Sequence, residues 1–308
     1  MDDYDKSKVI ILYDSISYFR QNFKEKEISV YESFKKVNVI EKIFRKVSEY
    51  TKIGIEFWFS DWKNRLDDIE TVIVFAENRI DHLKYIKKKH PNIRIILWYW
   101  NPAFRCIHPD KVPDELCEKW SFDIEDCKKY SLHYNNQFYF DNIKLKQSES
   151  KYDAFFLGNN KGRRQYLDYI KSILTHNKLV SRFYIVPDKN ESHVEQSVPI
   201  SYEEYLNKYV SSTKGLIDMQ PKGQSGLTLR PLESIFFKKK LITNDRNIKN
   251  YDFYNPSNIF ILEVDDHNSL VDFMNKNYEE INTEIIRKYD VSCWLKNFFI
   301  ENNHGEVF

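Results

Sequence analysis

Short apolar runs rich in β-branched and aromatic residues recur down this chain, and between them apolar residues return at intervals of three and four. No other feature constrains the fold as much. A strand, a helix and a second strand in series close most readily as a parallel crossover unit. Strands buried on both faces by such helices read as unbroken apolar runs. Val9 to Tyr13, Thr71 to Phe75 and Ile93 to Trp98 have this character. Ile53 to Phe59 is a further strand candidate. Residues 31–50 read as a helix, with Phe34, Val37, Ile40, Ile43, Phe44 and Val47 recurring at three and four, and Ile80, Leu83 and Ile86 mark an amphipathic helix closed by Pro91.

Residues 103–150 are less regular, with a strand near 137–140 and an extended segment near Trp120. The polar stretch KLKQSESK (144–151) has no apolar periodicity and reads as an interdomain linker. The alternation then restarts with Tyr152 to Leu157, Arg182 to Val186, the runs around Ile217 and Ile242, and Asn258 to Val264. Ser201 with Glu204 fits a capping box for a helix through Val210. Helical segments at 267–287 and 290–301 end the chain. The expectation is α/β, with two Rossmann-like domains over 1–143 and 152–289.

A length of 308 residues suits two domains of about 150 each. Lys and Arg number 47 against 46 for Asp and Glu, so a net charge of +1 makes no general case for nucleic acid as a partner. The four cysteines show neither a CxxC pair nor zinc-site spacing, which fits reduced thiols in an intracellular protein. The opening MDDYDKSKVIILYDS holds too short an apolar run for a signal peptide or a membrane span.

Ligands of parallel α/β sheets sit at the carboxyl ends of the strands. Asp14, Glu77 and Asn101 occupy such ends in the first half. In the second half the stretch GLIDMQPKGQSGLTLRPLESIFFKKKLITN (215–244) runs from strand through a glycine-bearing loop into a helix. Thr228 can cap that helix, Pro231 suits its first turn, and Leu232, Ile235 and Phe236 face inward. Free amides and the positive end of the dipole then point at the loop, a seat for phosphate. Arg230 adds a cation, and Glu233 a carboxylate that can accept from sugar hydroxyls. Glycine at a strand-to-helix turn and Glu in a first turn also serve purely structural ends.

The second corner, GNNKGRRQ, follows Leu157 and carries Lys161, Arg163 and Arg164 onto a helix start. Basic residues there oppose the macrodipole, so another contact should reward them: an anion, or solvent around a basic helix start. Together the two corners could hold one diphosphate, with Arg163 or Lys161 on one side and the amides of Ser225 to Thr228 on the other.

GQSGLTLRPLES followed by KKKLITN, with the earlier FFLGNNKGRR, resembles bacterial glycosyltransferases of the GT-B type that build lipopolysaccharide or capsule. The resemblance is most specific over 152–262 and only architectural over 1–143. It implies two Rossmann-like domains facing a central cleft, with the final helix (290–308) crossing back to the first. It also implies a nucleotide-sugar held by the second domain. Gly158, Asn159, Lys161 and Arg163 would face the diphosphate with Gln224, Ser225, Gly226, Leu227 and Thr228, while Arg230 supplies a cation and Glu233 meets the ribose. The Gly-rich loop usual after the first strand is replaced by Asp14-Ser15-Ile16-Ser17.

Such enzymes generally need no metal cofactor, and the chain's Asp3-Tyr4-Asp5 lies in the terminal tail rather than after a strand. An inverting transferase would take its base from Asp14 or Glu77; each could instead cap a following helix. The expected partners are a nucleotide-sugar and a glycan or lipid-linked glycan acceptor, with no nucleic acid. The lysine runs 87–89 and 238–240 read as solvated helix ends, or as contacts for anionic lipid. The expected place is the cytoplasm, with peripheral contact at the inner face of the cell membrane. A nucleotide-sugar epimerase or dehydrogenase would want a G-x-G-x-x-G after the first strand, and none is present. A non-catalytic two-lobed protein that binds a nucleotide or sugar is the alternative.

Overall fold

The computed structural model describes residues 4–187, 200–220 and 225–300, which form two compact units. One takes the chain as far as Asn136 and again from Trp294; the other runs from Gln137 to Cys293.

In the first unit six strands make one parallel sheet: β1 (Val9–Leu12), β2 (Ser29–Tyr31), β3 (Thr71–Phe75), β4 (Arg94–Tyr99), β5 (Glu118–Ser121) and β6 (His133–Tyr134). Their order is β2-β1-β3-β4-β5-β6, with Leu12 beside Val74 and Phe75 beside Trp98 in register. Ile10, Leu12, Val72, Val74 and Leu97 share a core with Trp62 and with Leu83 and Ile86 of a helix over Asp81–Lys89. Aromatic rings pack together on the other side. Tyr13 meets Phe75 edge to face at 4.7 Å, and Trp98 meets Trp294 at 5.7 Å.

Two expectations fail here. The run Ile53 to Phe59 is not a strand: Gly54 turns the chain with φ 66°, a tight helical turn follows over Ile55–Trp58, and Phe59 alone is buried. The strand beside β1 is instead Ser29–Tyr31, in which only Val30 is buried, so no apolar run announces it. The helix expected over 31–50 begins later. Helix α2 (Val39–Thr51) follows α1 (Ser17–Glu25), and Asn38 opens it with a capping box, accepting from the Glu41 amide at 2.9 Å. Its apolar face points out: Ile40, Ile43, Phe44 and Val47 are 54–66% exposed. Its polar side holds it down. Glu49 pairs with Arg45 at 3.2 Å and with Arg79 at 2.6 Å, and Ser48 accepts from the Trp58 indole at 3.0 Å.

The second unit is a five-stranded parallel sheet of β7 (Tyr152–Asn159), β8 (Ser181–Val186), β9 (Thr213–Asp218), β10 (Lys240–Thr243) and β11 (Ile259–Ile261), in the order β11-β10-β9-β7-β8. With α3 (Asp81–Lys89) and α4 (Ile124–Tyr130) in the first unit, its helices run on as α5 (Arg164–His176), α6 (Tyr202–Glu204, prolonged as a wider turn through Val210) and α7 (Leu229–Phe237). Ala154, Phe156, Ile217 and Ile242 are buried against Leu167, Ile170 and Leu174 of α5. The segment expected as helix over 267–287 is two short helices, α8 (Leu270–Asn275) and α9 (Thr283–Lys288).

The units change over before the polar stretch 144–151. Phe138, Tyr139 and Phe140 have no exposed surface; Tyr139 exchanges backbone hydrogen bonds with Tyr289 and Val291 and sets its ring 5.3 Å from Phe236. Burial of this aromatic run puts the boundary at Asn136–Gln137 and leaves 144–151 as coil leading into β7. The chain returns to the first unit inside α10 (Val291–Asn297), where the Trp294 carbonyl accepts from Asn135 Nδ2 at 2.9 Å. None of the four cysteines is in a disulfide. Among the described residues no helix is long and apolar enough to cross a membrane.

Candidate functional site

In the second unit successive strands are laid down on opposite sides of β7, so the order reverses between β7 and its neighbour β9. A crevice outside the carboxyl ends of two such strands is where open α/β sheets take ligands. Both glycine corners stand at this edge. The first leaves β7 through Gly158 and Asn159 and enters α5; the second leaves β9 at Asp218 and enters α7. Pro221 to Gln224 lie outside the described residues, so the expected contact at Gln224 has no geometry here.

Arg163 ties the corners together. One guanidinium nitrogen donates to the Met219 carbonyl and the other to Asn159 O at 3.1 Å. A Cβ on Gly158 would come within 2.9 Å of that guanidinium, so glycine is needed for the arginine to fold back. This is the contact that rewards a basic residue at a helix start; its neighbour Arg164 pairs with Asp168 at 3.1 Å. Lys161 is exposed and holds φ 49°, a left-handed conformation that costs a non-glycine residue roughly 1 kcal/mol.

On the other corner Thr228 caps α7, its hydroxyl accepting from the Arg230 amide at 3.3 Å and donating to Asp218 at 2.8 Å. Ser225 and Thr228 are half-buried, and Gly226 and Leu227 are buried. The Arg230 side chain reaches Leu157 O at 2.9 Å, a second tie from β7 to α7.

Glu233 departs from its expected place at a ribose. It has no exposed surface, and its carboxylate accepts from Tyr202 at 2.5 Å, Tyr205 at 2.6 Å and Arg230 at 2.5 Å. Residues of α6, distant in sequence, cover the first turn of α7, so a carboxylate that looks free in the pattern is spent inside. Burial raises the two tyrosine hydroxyls far above their ordinary range, and the Glu233 charge adds to it. Burial opposes the Arg230 cation, but Glu233 outweighs it and holds the guanidinium charged.

Sequence reading passed over four polar residues at this edge. Asp218 ends β9, and burial raises its carboxyl while Thr228, Arg230 and Arg163 pull it back. Thr243 ends β10, and Asn244 accepts from the Gln220 amide at 2.8 Å. Asp245 accepts from Gln220 Nε2 at 3.1 Å; burial, with Asp218 adding to it, pushes it up to about 6. The signal that singled out Asp14 and Glu77, a polar residue closing an apolar run, was equally present in GLID and LITND. An open cavity of about 700 Å³ lined by Phe260, Asp265, Asp266 and Lys276 lies instead at the outermost strand, β11.

The first unit has its own reversal, between β1 and β3, flanked by Asp14 and Glu77. Asp14 is half-buried and accepts from the Ser33 amide at 2.8 Å; burial raises its carboxyl against that bond, and Glu32 adds to the rise. Glu77 stands at the exposed rim, raised by partial burial and then by the Asp14 charge. Two carboxylates that feel each other at a strand edge have the electrostatics of a proton-transfer pair. Asn101 is exposed just after the end of β4. Among the described residues no three His, Cys, Asp or Glu side chains cluster as a metal site would need.

No protein-family model matches the sequence, and no curated protein matches it. Among solved structures the chain is similar to one in the crystal structure of the GtfA/B complex, with a TM-score of 0.43 and 10% identity over 77% of this chain. It is also similar to one in the Glycosylation Associate Protein (Gap123) complex from Streptococcus agalactiae, with a TM-score of 0.38 and 13% identity over 74%. It spans 58% and 50% of those two chains.

Proposed function

We propose that this protein is a glycosyltransferase that holds a nucleotide-sugar on its second unit and moves the sugar to a bacterial surface glycan, of lipopolysaccharide, capsule or a related polymer. The observation that carries the reading is the meeting of both glycine corners at the β7–β9 reversal, joined by Arg163 and Arg230. There the α7 amides from Ser225 to Thr228 and the exposed Lys161 would offset charge growing on the leaving diphosphate, with no metal needed for that step. Asp218 and Asp245 would repel a bare anion, and Arg163 and Arg230 compensate Asp218 from within. Glu233 acts in this scheme as the internal post that fixes Arg230. Asp14, with Glu77 beside it, would take the proton of the acceptor hydroxyl, since a carboxyl raised by burial is the better base near neutral pH.

Calorimetric titration with a panel of nucleoside diphosphates and nucleotide-sugars tests the donor reading, the expected outcome being saturable binding of at least one. Binding of none sinks it. A second reading, a two-lobed protein that binds nucleotide or sugar without turnover, is favoured by the internal use of the Glu233 carboxylate. Transfer or hydrolysis of the sugar separates the two readings.

A further inference from the structure

Helix α2 is amphipathic and mounted with its polar side against the protein. None of its residues is buried, and Val39, Ile40, Ile43, Phe44, Val47 and Tyr50 are 54–90% exposed along one arc. The turn that follows extends the arc with Ile53 at 75% and Phe57 at 72%. The opposite side carries the Arg45–Glu49–Arg79 ion pairs and the Ser48–Trp58 hydrogen bond, so the orientation is held by specific contacts. Lys42 and Lys46 lie along one border of the arc, both exposed and without an ion pair among the described residues. Exposed Lys35 precedes the helix, while Lys52, which follows it, is paired with Asp81 at 2.7 Å.

From this placement we propose that α2 is a membrane-surface helix that seats its apolar arc in the headgroup region of an anionic lipid bilayer. A helix with a full apolar face and lysines at its border is the pattern that binds in the interface plane by apolar burial and attraction to anionic lipid together. The dimensions speak for a bilayer over a second copy. Thirteen residues make a helix about 20 Å long and ~10 Å wide, a strip of roughly 200 Å². Even doubled by Ile53 and Phe57, that falls short of the ~800 Å² per partner of a stable dimer. A fluid surface needs no matching partner. The arc shares no residue with the glycine corners of the second unit, so the inference stands or falls apart from the donor reading.

The test is cosedimentation of the full chain with vesicles of phosphatidylcholine alone and of phosphatidylcholine with phosphatidylglycerol, at low and high salt. The wild type should bind the anionic vesicles and lose most of that binding at high salt. Ile43→Ser with Phe44→Ser should abolish binding, and Lys42→Ala with Lys46→Ala should lower it at least tenfold, at about fivefold per lysine. Because all four side chains are exposed, unchanged circular dichroism melting should accompany both variants. Sedimentation equilibrium gives the contrary outcome. A dimer that Ile43→Ser with Phe44→Ser makes monomeric, or equal binding of wild type and variant to vesicles, overturns the proposal. Absence of wild-type binding to anionic vesicles does so too.

Discussion

Arg230 and Glu233 stand one turn apart on α7 and close a salt bridge of 2.5 Å around a carboxylate with no exposed surface. With both tyrosines of α6 bonded to the same carboxylate, the pair fastens α6, α7 and the end of β7 together. Removing one partner of a buried pair leaves the other charge uncompensated, at a cost of about 3–5 kcal/mol. Glu233→Ala should therefore lower the urea midpoint sharply, and nucleotide affinity should fall only as the fold is lost. A variant of wild-type stability with weakened binding would return Glu233 to the ligand.

Lys161 offers a cleaner probe of the donor edge. Its φ of 49° suits glycine, so Lys161→Gly removes the cation while relieving the backbone. Affinity for a nucleoside diphosphate should drop roughly tenfold, the scale of one charge-assisted hydrogen bond, while thermal stability holds or rises slightly. Unchanged affinity by calorimetry would remove Lys161 from the site.

Asp14 ties function to stability. Burial raises its carboxyl above the ordinary 3.8, so the folded state binds its proton more readily than the unfolded chain. Its contribution is full below pH 3.8 and is lost as pH rises through the folded value. Asp14→Asn should thus melt higher than wild type near pH 7 and show little gain near pH 3. As the base, its loss should cut the transfer rate by roughly 10²–10⁴, and the wild-type rate should fall as pH drops through the raised carboxyl value.

His82 on α3 is buried at 3% exposure, has no hydrogen bond to either ring nitrogen, and meets Phe34 edge to face at 5.9 Å. Burial lowers it from 6.5 to about 4, with Asp81 opposing. The unfolded chain therefore takes up a proton that the folded one refuses. Its stabilising contribution is full above pH 6.5 and is lost as pH falls toward 4, by roughly 3 kcal/mol across that window. His82→Leu should flatten the stability profile between those values in chemical denaturation. Parallel profiles for variant and wild type would show the imidazole to be charged inside the fold.

The parallel strands were legible because burial on both faces leaves an unmistakable trace. VIIL, TVIVF, YDAFFL and KLIT are all strands, and the two glycine corners fall where the alternation puts them. Helix α2 was legible as a helix too. Which of its sides turns inward was not, because periodicity records which residues share a face and says nothing of what covers it. The ion pair from Glu49 to Arg79, contributed from beyond β3, holds the polar side down. The same limit applies at Glu233. Its place in a first helical turn is local information, whereas Tyr202 and Tyr205 arrive from a helix packed across it. Ser29–Tyr31 escaped notice because an edge strand with one buried residue leaves almost no apolar signal. Pattern within a segment follows from local chemistry, and the covering of one segment by another follows only from packing the whole chain.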